Sequence, residues 1–192
     1  MTAPLKIIGI SGSLRAKSYN TALLHFVRDH LPEGVSMDIA DLSQIPMFNQ
    51  DTESDVPLSV QRLKEAIAAA DAVLIATPEY NHSIPGVLKN AIDWASRRPN
   101  VFNDKPLGIL GAGGQFGTTR AQYHLRQIAT VLNMHAVNTP QVLVFNAWEK
   151  FDADGRLYDE ATQKVVMEHV HALLDWTRRL QRRETEQAAQ KN

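Results

Sequence analysis

The sequence predicts an α/β domain, a doubly wound five-stranded parallel sheet with helices on both faces. Three observations carry that expectation. Short β-branched apolar runs alternate with longer stretches of helical period, as βαβ units require. The first and third runs are apolar enough for strands covered on both faces. No internal repeat or linker divides the 192 residues, a length within the ~100–200 of a single domain.

Taken in order, Leu5 to Ile10 reads as a buried strand ending at Ser11-Gly12-Ser13. Residues 18–31 then place Leu23, Leu24, Val27 and Leu31 on one helical face. Ser36 to Leu42 is a second strand with polar alternation. Pro57 opens a helix at its first turn, with Leu63, Ile67 and Ala70 as its stripe. Asp71 to Thr77 is the most apolar strand, bounded by Pro78. Residues 86–96 follow as a helix that turns Leu88, Ala91, Ile92 and Ala95 inward.

Pro106 to Gly111 is the fourth strand, closed by a glycine-rich loop. A helix from about Thr118 to Leu132 buries Leu125, Ile128, Ala129 and Leu132. Val142 to Phe145 is the fifth strand, placed at the sheet edge by Pro140. The last helix, 159–182, carries Val166, Val170, Leu173, Leu174 and Thr177. One domain over 1–183 with a polar, fraying tail over 184–192 is the expected organisation. Right-handed crossovers leave few topologies for such a set.

Composition removes several function classes. Twenty Lys and Arg stand against 21 Asp and Glu, so there is no clustered basic excess for a nucleic-acid backbone. The same balance argues against an acidic electron carrier docking on basic partners. With no cysteine, disulfides, thiolate nucleophiles and iron–sulfur clusters are excluded. The N-terminus lacks a signal-peptide layout, and the weakly polar run from Ala66 to Ala76 is too short to span a bilayer. A cytoplasmic protein that binds no membrane and no nucleic acid is expected.

In a parallel sheet the loops after strands one, three and four share one edge, where ligands of such folds bind. The first loop runs Ser11-Gly12-Ser13-Leu14-Arg15-Ala16-Lys17-Ser18-Tyr19-Asn20-Thr21. It feeds a helix start, where free N–H groups and the helix dipole attract an anion. Serines, an asparagine and Arg15 add donors, and no Walker lysine is present, so an NTPase is not expected. The alternative is that Ser18 caps a helix and the rest is a turn.

The second loop, Pro78-Glu79-Tyr80-Asn81-His82-Ser83-Ile84-Pro85-Gly86, is stiffened by two prolines and offers Tyr80 as a flat surface for a heteroaromatic ring. An ordinary solvated connection remains the alternative. The third loop, Gly111-Ala112-Gly113-Gly114-Gln115-Phe116-Gly117-Thr118, fails the GxGxxG spacing because Phe116 takes the last glycine's place. Its better use is close backbone approach to a flat ligand. Other chemistries fare poorly. His169 and His171 fall on different helix faces, so a metal pair is not expected. There is no GxSxG elbow, and Ser83 has no evident histidine–aspartate support. Most of the seven histidines read as surface or half-buried packing, and Trp94, Trp148 and Trp176 as core or interface residues.

Three segments carry a family resemblance: GSLRxxSxN after the first strand, TPEYNxSxPGxLKNAIDW after the third, and AQYHLRQ in the fourth helix. They resemble the NADPH-dependent FMN reductases, and within them the bacterial quinone and chromate reductases, over nearly the whole chain. The resemblance implies a flavodoxin-like fold with FMN as cofactor and NADPH or NADH as electron donor. It implies that Ser11, Ser13, Arg15, Ser18 and Asn20 hold the FMN phosphate. Pro78, Glu79, Tyr80 and Asn81 would seat the ring with Ser83 nearby, and Gly113, Gly114 and Gly117 would approach it from the third loop. A homodimer or homotetramer is implied, with Arg120, Tyr123, Arg126 and Gln127 near the subunit contacts. The expected activity is ping-pong reduction of quinones and similar small acceptors, with the chemistry on FMN and no catalytic side chain. Two rivals are a flavodoxin-like electron carrier without its own NAD(P)H turnover and a regulatory or scaffold protein.

Overall fold

The two most apolar runs form the centre of the sheet in the computed structural model, which describes residues 4–190. β1 (Leu5–Ser11) and β3 (Ala72–Ala76) pair in parallel, Ile7 against Ala72 through Ser11 against Ala76. They need no polar face because helices cover both sides. β2 (Val35–Ala40) lies outside β1, and β4 (Pro106–Ala112) lies outside β3, both parallel. The chain therefore steps to one side after β1 and returns to lay β3 on the other. In such sheets the crevice opens beyond the carboxyl ends at that reversal.

The fifth position differs from expectation. Two short strands share it: β5 (His135–Ala136) beside Pro106 and Leu107, and β6 (Val142–Val144) beside Leu110 to Ala112. Both lie at the sheet edge, as Pro140 suggested. The gap between them leaves the Ile109 N–H without a strand partner. The ring of His169 fills it, with Nε2 accepting from Ile109 N at 3.0 Å. Nδ1 therefore carries the proton and donates to the Pro140 carbonyl at 2.7 Å. His169 is fully buried rather than a surface histidine, and burial holds its pKa below the ordinary imidazole value. Gly108 makes room for it: an added Cβ would lie 2.7 Å from Leu74 and 3.1 Å from the ring.

α1 (Tyr19–Asp29) and α5 (Glu160–Gln190) cover one face, packing Leu23, Leu24, Val27, Val166, Val170 and Leu173 against Ile7, Leu74 and Leu110. α2 (Leu58–Ala69), α3 (Gly86–Ala95) and α4 (Thr119–Val131) cover the other, with Leu63, Ile67, Leu88, Ile92 and Leu125 against Ile8, Val73 and Ile109. Each such side chain stabilises the fold by about 1.5–3 kcal/mol when fully buried. Helix α5 continues to Gln190, past the irregular tail expected from Glu184. The segment after it, rich in Glu, Gln and Ala, favours helix on local propensity alone. Lys191 and Asn192 lie outside the described residues. Trp94 is core, its indole N–H donating to the Pro46 carbonyl at 2.8 Å, whereas Trp148 is exposed.

Candidate functional site

The reversal between β1 and β3 brings the first two loops together. Gly12 continues β1 by donating to the Ala76 carbonyl at 2.8 Å, and an added Cβ there would press on Pro78 and Leu88 at 3.2 Å. The first loop then closes on itself. Ser11 Oγ and Thr21 Oγ1 share a 2.7 Å hydrogen bond. Ser18 is the N-cap of α1, accepting from the Thr21 N–H at 3.4 Å. Ser13 Oγ accepts from the Arg15 N–H at 3.3 Å. Each of the last two hydroxyls thus keeps its proton to donate to a ligand oxygen.

The N–H groups of Tyr19 and Asn20 open α1 and have no carbonyl four residues back inside the helix. Arg15 lies over the Tyr19 ring, 5.1 Å from its centroid. Hydroxyl donors, helix-start amides and one guanidinium fit a phosphate monoester. The capping and anion-holding readings of Ser18 are therefore compatible.

Asn20 is placed otherwise than the motif implies. Its side chain is buried, with Nδ2 donating to the Ala112 carbonyl and Oδ1 accepting the Ala112 N–H, both at 2.9 Å. Both ends of the amide are occupied by the backbone where β4 ends. Asn20 thereby sets the third loop beside the first, and its own helix-start N–H is what it offers an anion.

The second loop is a tight turn. Tyr80 and Ser83 exchange N–H···O bonds of 3.0 Å, and Asn81 and His82 both have positive φ, 51° and 62°. That is the geometry of a type I′ turn, which favours Gly and Asn and here carries Asn81 and His82. Tyr80 is 53% exposed. Pro78 is buried against Gly12. Glu79 does not point at the crevice: its carboxylate accepts the Arg120 and Ala121 N–H groups at 2.8 and 3.0 Å. Ser83 Oγ shares a 2.9 Å hydrogen bond with His124 Nδ1.

The third loop turns between Gly114 and Gly117, whose φ is 57°. A Cβ on Gly113 would overlap the Gly117 carbonyl, and one on Gly111 would collide with the Thr118 side chain. Gly113 also donates to the Val144 carbonyl, and Asn146 and Ala147 donate back to Gly114 and Gly113, at 2.9–3.0 Å. The segment after β6 is thus part of the site's wall. Trp148, 56% exposed, lies beside Gly114. Sequence reading missed Asn146, Trp148 and His124, and only Asn146 left a trace, as an Asn just beyond a strand, where it adopts φ 46°.

Ser11, Ser13, Arg15 and Ser18 thus share one loop, Tyr80, Asn81 and Ser83 a second, and Gly113, Gly114 and Gly117 a third, all at the carboxyl edge. Sheet order 2-1-3-4-5, with a helix start opening at the reversal, defines a flavodoxin-like α/β protein. The model of the NADPH-dependent FMN reductase family matches residues 5–149. An NAD(P)H-dependent FMN reductase of Pseudomonas aeruginosa is 50% identical over 183 residues, covering 94% of this chain and 99% of that protein. An NADPH:quinone oxidoreductase of Arabidopsis thaliana is 42% identical over 184 residues, covering 92% and 94%. FerB, a flavoenzyme NAD(P)H:(acceptor) oxidoreductase from Paracoccus denitrificans, superposes with a TM-score of 0.82 at 33% identity, covering 91% of this chain and 98% of FerB. The chain belongs to the NADPH-dependent FMN reductase family, and it is an NAD(P)H-dependent oxidoreductase that uses FMN.

Proposed function

We propose that the chain reduces quinones at an FMN whose phosphate is held by the first loop and whose ring lies between the second and third. The observation that carries this reading is the donor set at the start of α1, where the loop bearing Ser13, Arg15 and Ser18 leads into helix-start amides at the sheet reversal. FMN, when bound, accepts a hydride from NAD(P)H and passes it to the acceptor. The protein binds and orients. Tyr80 and the Asn81 backbone seat the ring, and the glycines at 113, 114 and 117 let the chain approach it without side chains in the way.

One crevice serves donor and acceptor in turn, which makes the kinetics ping-pong. The quinone-reducing relative supports a quinone acceptor. The exposed Tyr123 and Arg120 on α4 support a homodimer or homotetramer through that helix. A cytoplasmic location follows from dependence on NAD(P)H, and no helix among the described residues is long and apolar enough to cross a membrane.

The test is direct. The purified protein is assayed for bound flavin, then for NADH and NADPH oxidation against a panel of quinones, with parallel double-reciprocal lines expected. An electron carrier would hold FMN but show no steady-state turnover. Arg15→Ala should weaken FMN binding by roughly 1.5–3 kcal/mol through loss of a charge-assisted contact. Unchanged affinity in that variant refutes the phosphate assignment.

A further inference from the structure

The second loop is held at both ends by one helix. At its start, the Glu79 side chain is only 8% exposed, and one oxygen accepts the N–H groups of Arg120 and Ala121 at 2.8 and 3.0 Å. The other oxygen lies 3.5 Å from the Arg120 guanidinium. At its end, Ser83 is hydrogen-bonded to His124 one turn further along α4. Helix α4 has no cap of its own, since Thr118 makes no side-chain cap bond among the described residues. Helix starts leave amides without partners, and the dipole there favours an anionic side chain. Glu79 supplies from another loop what Thr118 does not.

Between these two anchors stands the turn with Asn81 and His82 at positive φ. Asn and His enter that conformation more readily than most side chains, but a β-carbon there still costs more than glycine and gains from support by the surroundings. The two anchors are such surroundings, and they make α4 the platform that sets the height of the turn against the third loop.

We propose that Glu79 is a positioning residue: its carboxylate on the start of α4 fixes the Tyr80–Ser83 turn, and through it the affinity and reduction potential of FMN. The inference rests on the reading that the ring lies between the second and third loops. The Glu79 carboxylate, turned onto α4 with the Arg120 guanidinium 3.5 Å away, belongs to the residue next to Tyr80. Its charge beside the proposed ring seat opposes formation of anionic reduced FMN. Removing that charge while keeping the shape raises the potential.

Three full-chain variants test this: Glu79→Ala, Glu79→Gln, and Glu79→Ala combined with His82→Gly. Amide exchange at Arg120 and Ala121 reads the cap, fluorescence titration reads FMN affinity, and dye-coupled titration reads the potential. In Glu79→Ala both amides should exchange faster and FMN should bind about tenfold more weakly, the equivalent of one lost hydrogen bond. Glu79→Gln, which keeps an acceptor oxygen, should recover most of the affinity while its potential stays above wild type. His82→Gly should return part of the affinity lost in Glu79→Ala, because glycine holds positive φ without the anchor.

Faster exchange with unchanged affinity and potential would make Glu79 a helix cap and nothing more, and unchanged exchange would remove the clamp itself. If Glu79→Ala does not fold, wild-type affinity and potential in Glu79→Gln overturn the proposal. Arg15→Ala separates the two readings. It should weaken FMN with no change in α4 exchange, and its failure counts against the phosphate loop and leaves the clamp standing.

Discussion

The first and second loops face one crevice and are built by opposite means. The first is made locally: Ser11 meets Thr21, Ser18 caps onto Thr21 and Ser13 supports Arg15, all within ten residues. The second is made remotely. Glu79 and Ser83 reach α4 across about forty residues, and that helix braces the turn between them. A locally closed loop carries its geometry in its own motif. A remotely closed loop acquires its geometry when the sheet assembles.

The sharpest way to break the remote side is Gly111→Ala. The new methyl group would collide with Thr118 and lie 2.7 Å from the Thr77 carbonyl oxygen, where the ends of β3 and β4 meet. A loss of about 3 kcal/mol in urea unfolding is expected, the upper range for overpacking. Wild-type stability would show that the junction yields.

Next comes Asn20→Ala, which leaves the Ala112 N–H and C=O buried without partners. That should cost about 2–3 kcal/mol, and the FMN affinity should fall with it because the third loop loses its tie to the first. Equal stability with lost affinity would instead make Asn20 a direct ligand contact.

His169 gives a smaller effect with a pH signature. Its folded pKa is depressed by burial, so between that value and the unfolded value of about 6.5 the unfolded chain binds more protons. The contribution is complete above that pH and is lost as pH falls through the window. Melting curves at pH 7.5 and 5.5 should show a drop, about two units of pH apart, that His169→Gln reduces. The same drop in both proteins assigns the acid sensitivity to other groups.

The smallest stability change separates capping from ligand binding in the first loop. Ser18→Gly should cost only a few tenths of a kcal/mol in stability, because glycine is a tolerated cap. If Ser18 also donates to the phosphate, FMN affinity should still fall. No change in titrated affinity would leave Ser18 a cap alone.

The fold was legible because its signals are periodic and local. The strand runs and helical stripes were placed within a few residues, and most of their apolar positions are the core, with Leu31, Ile128 and Leu132 only partly buried against it. The split edge was not legible. A histidine standing in for a strand amide partner across sixty residues has no sequence pattern. The same holds at the site. Ser13, Arg15 and Ser18 bond within the loop that leads into α1, whereas Asn20 and Glu79, in equally distinctive motifs, turn to Ala112 and to α4.

The sequence by itself determined the α/β layering, the three loops at one edge and the self-closing first loop, since each depends on residues near one another in the chain. Only the tertiary structure decided which motif side chains face the crevice and which brace it. A carboxylate or amide bonds to whichever backbone partner the assembled sheet brings within 3 Å, and neighbours in sequence carry no record of that partner.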